Sequence, residues 1–171
     1  IKTHINYIAT EPAKDTFNGL NKIAKDWGNQ SNLFGTTQRL EIVQSGSEDY
    51  VPEKESLDLC FTSPPYFDTE KYSKETTQSY IKFPNKIDWL AGFLRKTIQN
   101  CAYGLKPKRH LIINIANVSS FDTLEDEMGN IILSEGFEYL DKFQLTLSKM
   151  PGKNLKSDGF KHEPVFLFRK K

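Results

Sequence analysis

Apolar residues recur along this chain in two rhythms, every second residue and every third or fourth, and the switches between them predict its elements. Ile5, Tyr7 and Ile8 favour a strand over residues 4–10, closed by Glu11-Pro12. Residues 13–27 follow as a helix, with Phe17, Leu20, Ile23, Ala24 and Trp27 on one face and Gly28 at the C-cap position. A polar loop over 29–37 leads to a second strand over 39–44, which ends at Ser45-Gly46-Ser47-Glu48-Asp49. A turn over 52–55 precedes a third strand over 57–62. Residues 67–85 are polar with little periodicity, and a long excursion of this kind tends to carry function. The spacing of Ile87, Leu90, Phe93, Leu94, Ile98, Cys101 and Ala102 predicts a helix over 87–103 with those residues inward, Asp88 near its start, and Gly104 and Pro107 as stops. Leu111-Ile112-Ile113-Asn114-Ile115 is a near-continuous apolar run inside a strand over 109–118, as expected for burial on both faces. A helix over 122–135 (Leu124, Met128, Ile131 and Ile132 inward, Gly136 as its stop) leads to a strand over 137–148, a loop over 150–161 and a last strand over 163–169.

Strands separated by helices imply parallel crossovers and a three-layer α/β sheet. The last two strands are joined only by a loop, so they are expected to be antiparallel neighbours. The 171 residues suit one domain with a real core, and no internal repeat or linker divides them.

Composition narrows the class. Apolar runs fall short of the ~20 residues of a membrane span, and no signal-peptide pattern is present. Cys60 and Cys101 lie in predicted core elements without metal-ligand spacing, which favours reduced buried thiols and a cytoplasmic setting. His4, His110 and His162 are scattered and form no metal cluster, so no metal is expected. Net charge is only +1, but residues 142–171 hold eight Lys or Arg against Asp158 and Glu163. Such a stretch is either a solvated terminal face or a surface for phosphates. The chain opens on Ile1, as a piece of a longer protein would.

The chemistry concentrates where the third strand ends, at Ser63-Pro64-Pro65-Tyr66. Two prolines fix φ and lack N–H groups, so the corner stays extended and its carbonyls stay out of a helix ladder. A hydroxyl, rigid carbonyls and an aromatic ring thus meet at the carboxyl end of a strand, where open α/β sheets bind ligands. The set suits a planar amine, which donates to oxygens while a ring stacks on it.

This corner, with the apolar strand before it and the string from Phe61 to Tyr72, resembles motif IV of the amino-methylating DNA methyltransferases, (Asp/Asn/Ser)-Pro-Pro-(Tyr/Phe). The resemblance implies a class I methyltransferase fold with strand order 3-2-1-4-5-7-6 and an antiparallel final strand. This chain would enter at strand 2, since neither strand 1 nor its Gly-rich turn is recognisable. The cofactor implied is S-adenosylmethionine and the partner DNA, with the target base flipped into the pocket. Ser63, Pro64, Pro65 and Tyr66 then match the catalytic corner. Ser63 and the Pro64 carbonyl would accept hydrogen bonds from the target amine, and Tyr66 would stack on the base. Glu11 matches the strand-end acid that holds the cofactor ribose, and Pro12 would pack on its adenine. Ser47 and Glu48 (or Asp49 beside them) fall where the adenine amine is held, and Thr62 borders the cofactor. Lys71, Tyr72, Lys153 and Lys156 are the candidates for DNA contact. Adenine and cytosine both remain open as targets, and so does oligomeric state. Two other readings stand beside this one: a truncated or degenerate domain that binds DNA or a partner without turnover, and a methyltransferase of RNA or of a protein amide.

Overall fold

A computed structural model describes residues 5–28, 40–146 and 162–171. Six strands are formed: β1 (Tyr7–Thr10), β2 (Leu40–Val43), β3 (Leu57–Thr62), β4 (Leu105–Asn114), β5 (Phe137–Thr146) and β6 (His162–Lys170). The helices are α1 (Lys14–Gly28), α2 (Ser79–Lys82), α3 (Lys86–Asp88), a π-helical segment (Trp89–Leu94), α4 (Arg95–Gly104) and α5 (Leu124–Ser134). No described helix is long and apolar enough to cross a membrane.

The strands form two sheets. In the first, β1 and β2 pair in parallel. In the second, the order is β3-β4-β6-β5, with β3 parallel to β4. β6 runs antiparallel between β4 and β5, as the loop-linked pair required. These orders reproduce 3-2 and 4-5-7-6 of the expected arrangement. Among the described residues no strand joins β1 to β3, so the division falls where strand 1 was expected.

One face of the larger sheet carries the core. Leu111, Ile113, Phe166 and Phe168 pack beneath Trp89, Phe93, Leu94, Ile98, Leu124, Met128 and Ile132 from the helices. α1 packs against β2. The second face of the larger sheet, bearing Leu59, Phe61, Phe143 and Leu145, is exposed among the described residues.

Two elements depart from the periodicity. The helix expected over 87–103 widens into π turns at Trp89–Leu94. A π turn holds more residues than 3.6, so the inward face is rephased. Trp89 is fully buried, whereas Ile87, expected inward, is 79% exposed. Gly92 makes room for the Phe83 ring, since a Cβ there would lie 2.3 Å from Phe83 Cε1. The strand expected over 109–118 instead begins at Leu105, directly after the helix. Gly104 ends that helix against Pro52 and Leu57, where a Cβ would clash at 2.4 and 2.9 Å. Pro107 does not stop the chain. It sits with Lys108 (φ 64°) in an irregular stretch of β4, where the register shifts against Leu57–Leu59 and no ladder donor is needed.

Candidate active site

β3 delivers the Ser-Pro-Pro-Tyr corner to the carboxyl end of the larger sheet. Beyond it the chain reverses at Phe67, whose φ is 56°, and the Phe67 N–H donates to the Pro65 carbonyl at 2.9 Å. This backbone conformation is costly for a large side chain. It is held because the Phe67 ring packs edge-on against Trp89 and Phe121, each 6.0 Å between centroids. The turn is therefore fastened into the core immediately beside the Ser-Pro-Pro-Tyr corner.

Ser63 is exposed, whereas the Tyr66 ring is only 7% exposed. Both hydroxyls reach the buried Asn114 at the end of β4: Ser63 donates to its Oδ1 at 3.2 Å and Tyr66 at 3.1 Å. Asn114 Nδ2 in turn donates to the Pro164 carbonyl at 2.9 Å. The Tyr66 hydroxyl also lies 3.1 Å from Glu163 Oε2 on β6. Burial, and then the Glu163 carboxylate, push the Tyr66 phenol well above its ordinary pKa, so it stays a neutral donor. The ring expected to stack on a base is, in this structure, a wall of the site tied down by its hydroxyl. Thr62 is half-buried and pairs with Ile113.

A second group gathers where β1 and β2 end. The Glu11 N–H extends the ladder to the Val43 carbonyl at 3.0 Å, and Glu11 Oε1 accepts from the Ala13 N–H at 2.7 Å. Glu75, from the polar excursion, accepts from the Lys14 N–H at 3.2 and 3.3 Å. Two carboxylates thus satisfy the open N-terminus of α1. Thr77 donates to the Pro12 carbonyl at 3.3 Å, so the excursion leaving β3 reaches the end of β1. Between them lies a cleft of about 390 Å³ lined by Pro12, Gln44, Ser45, Gly46, Asp49, Thr76, Thr77 and Lys82.

The loop after β2 is tied to α4 by side-chain hydrogen bonds. Asn100 Nδ2 donates to the Ser47 and Glu48 carbonyls at 2.9 and 3.1 Å. The Ser47 hydroxyl is 2.8 Å from that of Thr97 on α4, so it faces the helix rather than the cleft. The Glu48 side chain is 3% exposed and folds over Gly46, where a Cβ would lie 2.2 Å from Oε2. Its Oε1 accepts from Lys82 Nζ at 2.9 Å, and Lys82 also pairs with Asp49. Burial works against the Lys82 ammonium, but Asp49 and Glu48 outweigh it and raise its pKa. Glu48 Oε2 is buried with no protein donor.

The sequence candidates thus fall into two groups. Glu11, Pro12 and Glu48 gather around or beside the cleft, and Ser63, Pro64, Pro65 and Tyr66 form the corner. Lys71 lies over the Tyr80 ring, 5.6 Å from its centroid, and Tyr72 is 69% exposed. Lys153 and Lys156 lie outside the described residues. Asn114, Glu163 and Lys82 were not singled out from sequence. Asn114 alone carried a signal, as the polar residue interrupting a buried apolar run. Among the described residues no cluster of side chains could hold a metal ion.

No protein-family model matches the sequence, and no curated protein matches it. Solved structures do match in shape. A provisionally assigned DNA modification methylase from Thermus thermophilus shares 14% identity at a TM-score of 0.51, over 97% of this chain and 53% of that one. The present chain therefore spans about half the length of that protein. The N-methyltransferase NodS from Bradyrhizobium japonicum, solved with S-adenosyl-l-homocysteine, shares 11% at 0.58, over 96% of this chain and 66% of that one. The [4+2]-cyclase SpnF shares 10% at 0.60, over 97% and 67%. The chain has the α/β fold of class I S-adenosylmethionine-dependent methyltransferases. The cyclase shows that a shared fold does not by itself fix the reaction.

Proposed function

We propose that this chain carries the catalytic corner of an S-adenosylmethionine-dependent DNA methyltransferase acting on the exocyclic amine of adenine or cytosine. The observation that carries the reading is the Ser63–Tyr66 corner, set at the end of β3 with its hydroxyls anchored and Ser63 left exposed. The fold and the likeness to a provisionally assigned DNA modification methylase support it.

The cofactor side fits the residues present. The cleft mixes acceptors and donors (Asp49, Gln44, Ser45, Thr76, Thr77 and Lys82), with the Glu11 carboxylate close to Pro12 of its wall, a set that suits a ligand bearing hydroxyl and amine groups. The orphaned Glu48 Oε2, beside Gly46 of the cleft wall, is a further buried acceptor. Glu11 and Pro12 would hold the ribose and adenine, with Asp49 in place of Ser47 at the adenine amine. When bound, the cofactor supplies a methyl group on a sulfonium, already a good electrophile.

The rest is positional and electrostatic. The amine of a nucleobase is a poor nucleophile because its lone pair is delocalised into the ring. Accepting its N–H bonds at the Ser63 hydroxyl and the Pro64 carbonyl favours a more tetrahedral nitrogen and steadies the growing positive charge. A flipped base would lie against the Tyr66 wall, with Tyr72 as an exposed aromatic surface nearby. Lys71, Lys153 and Lys156 would meet phosphates.

Nucleoside mass spectrometry on DNA incubated with the intact protein tests the reading. A methylated amine on adenine or cytosine is expected. Methylation only of RNA or of protein would reassign the substrate.

A further inference from the structure

Asn114 lies directly behind the Ser63 hydroxyl. A serine hydroxyl is ambivalent, with one proton to donate and two lone pairs to accept. Here the proton is drawn inward, since Ser63 Oγ donates to Asn114 Oδ1 at 3.2 Å and also interacts with the buried Tyr66 hydroxyl. Asn114 cannot turn its amide round. Its Nδ2 is held by the Pro164 carbonyl at 2.9 Å, and a turned amide would set oxygen against oxygen there. The turned NH2 would also face the Ser63 and Tyr66 hydroxyls in place of the oxygen they now share. Glu163 reinforces the arrangement. Tyr66 has one proton and two acceptors at 3.1 Å, Asn114 Oδ1 and Glu163 Oε2. When that proton goes to the carboxylate, the stronger acceptor, the Asn114 oxygen is left wholly to Ser63.

We infer that Asn114 is a positioning residue that turns Ser63 into an obligatory acceptor. With the Pro64 carbonyl beside it, the corner then presents acceptors only. It takes a ring edge bearing an NH2 group and rejects one bearing a carbonyl at the same place, because two oxygens would face each other unpaired. The inference rests on the amine-methylation reading above. It also gives a reason why serine can stand where an Asp or Asn would bring its own acceptor oxygen.

A double-substitution cycle in the intact protein tests it, with kcat and KM measured for labelled methyl transfer to DNA. Asn114→Ala is expected to lower kcat on the order of tenfold or more, as loss of a transition-state hydrogen bond does, with the cofactor KM unchanged. In a Ser63→Asp background the acceptor no longer depends on Asn114, so the same Asn114→Ala change should alter kcat less than about threefold. Equal losses in both backgrounds overturn the inference while leaving the methylation reading intact. If Asn114→Ala does not fold, Asn114→Asp keeps an acceptor oxygen toward Ser63, but its second oxygen meets the Pro164 carbonyl and must carry a proton to donate there as Nδ2 does. Its kcat should therefore approach that of the parent as pH is lowered, and a loss as large as that of Ser63→Ala at every pH overturns the inference. A parent protein that methylates no amine overturns the reading beneath it, and the inference with it.

Discussion

Ser63 and Lys82 show how differently two polar side chains act. Ser63 is exposed, and its hydroxyl reaches Asn114 and the Tyr66 hydroxyl without filling the core, so its removal should spare the fold while striking the reaction. Ser63→Ala is expected to lower methyl transfer about a hundredfold, the usual range for one oriented transition-state hydrogen bond. Its thermal unfolding midpoint should stay within a degree or two of the parent, or about 0.5 kcal/mol. Lys82 is the reverse case. It is the cation facing Glu48, whose carboxylate is almost wholly buried. Lys82→Met strands that charge and should cost about 3 kcal/mol in denaturant unfolding, the range for a buried ion pair broken on one side. An unchanged midpoint would mean that Glu48 finds another donor, its free Oε2 notwithstanding. The corner itself was legible from sequence because four adjacent residues carry it. Asn114 and Glu163 were not, because their approach depends on the registers that set β4 against β3 and β6.

At the scale of elements, local signals located most strands and helices, and β3 ends at Thr62 as read. What they could not supply was the phase of the helix after the excursion. A helical wheel assumes 3.6 residues per turn, and Trp89–Leu94 does not keep it. The π turns follow from packing: Phe83 fits over Gly92 while Trp89 contacts Phe67 and Phe93. A pair of substitutions separates the two phases. Trp89→Ala should destabilise by about 3–5 kcal/mol, as large-to-small changes in a core do. Ile87→Ala should change stability by about 0.5 kcal/mol or less, as at an open surface site. Equal effects would restore the unbroken helix read from sequence. The start of β4 was misplaced for a related reason. Pro107 reads as a stop, but an irregular register frees its position from the ladder.

At the scale of the molecule, one segment ties the ends of the two sheets together. The excursion after Tyr66 carries the chain to Pro12 and Lys14, which brings the corner and the cleft to the same end. The α/β class and the antiparallel final pair were readable from the order of elements. The exposure of Leu59 and Phe61 among the described residues was not, because periodicity shows that they are apolar but not what lies over them. Phe61 is 67% exposed in the described structure. Backbone protection should follow the pairing. Amides of Leu111–Ile113, in a strand paired on both sides, should exchange slowest, and those of β1, paired among the described residues with β2 alone, far faster. Protection of β1 equal to that of β4 would show that its second edge is also paired.

The central claim is that Ser63-Pro64-Pro65-Tyr66 presents a base amine to a sulfonium methyl. The most direct measurement incubates DNA with the intact protein and methyl-deuterated S-adenosylmethionine, then digests the DNA and weighs its nucleosides. A deuterated methyl on the exocyclic amine of adenine or cytosine, strongly reduced with Ser63→Ala, is the expected result. Label on a ring carbon, or label on the amine that Ser63→Ala leaves undiminished, would contradict the claim.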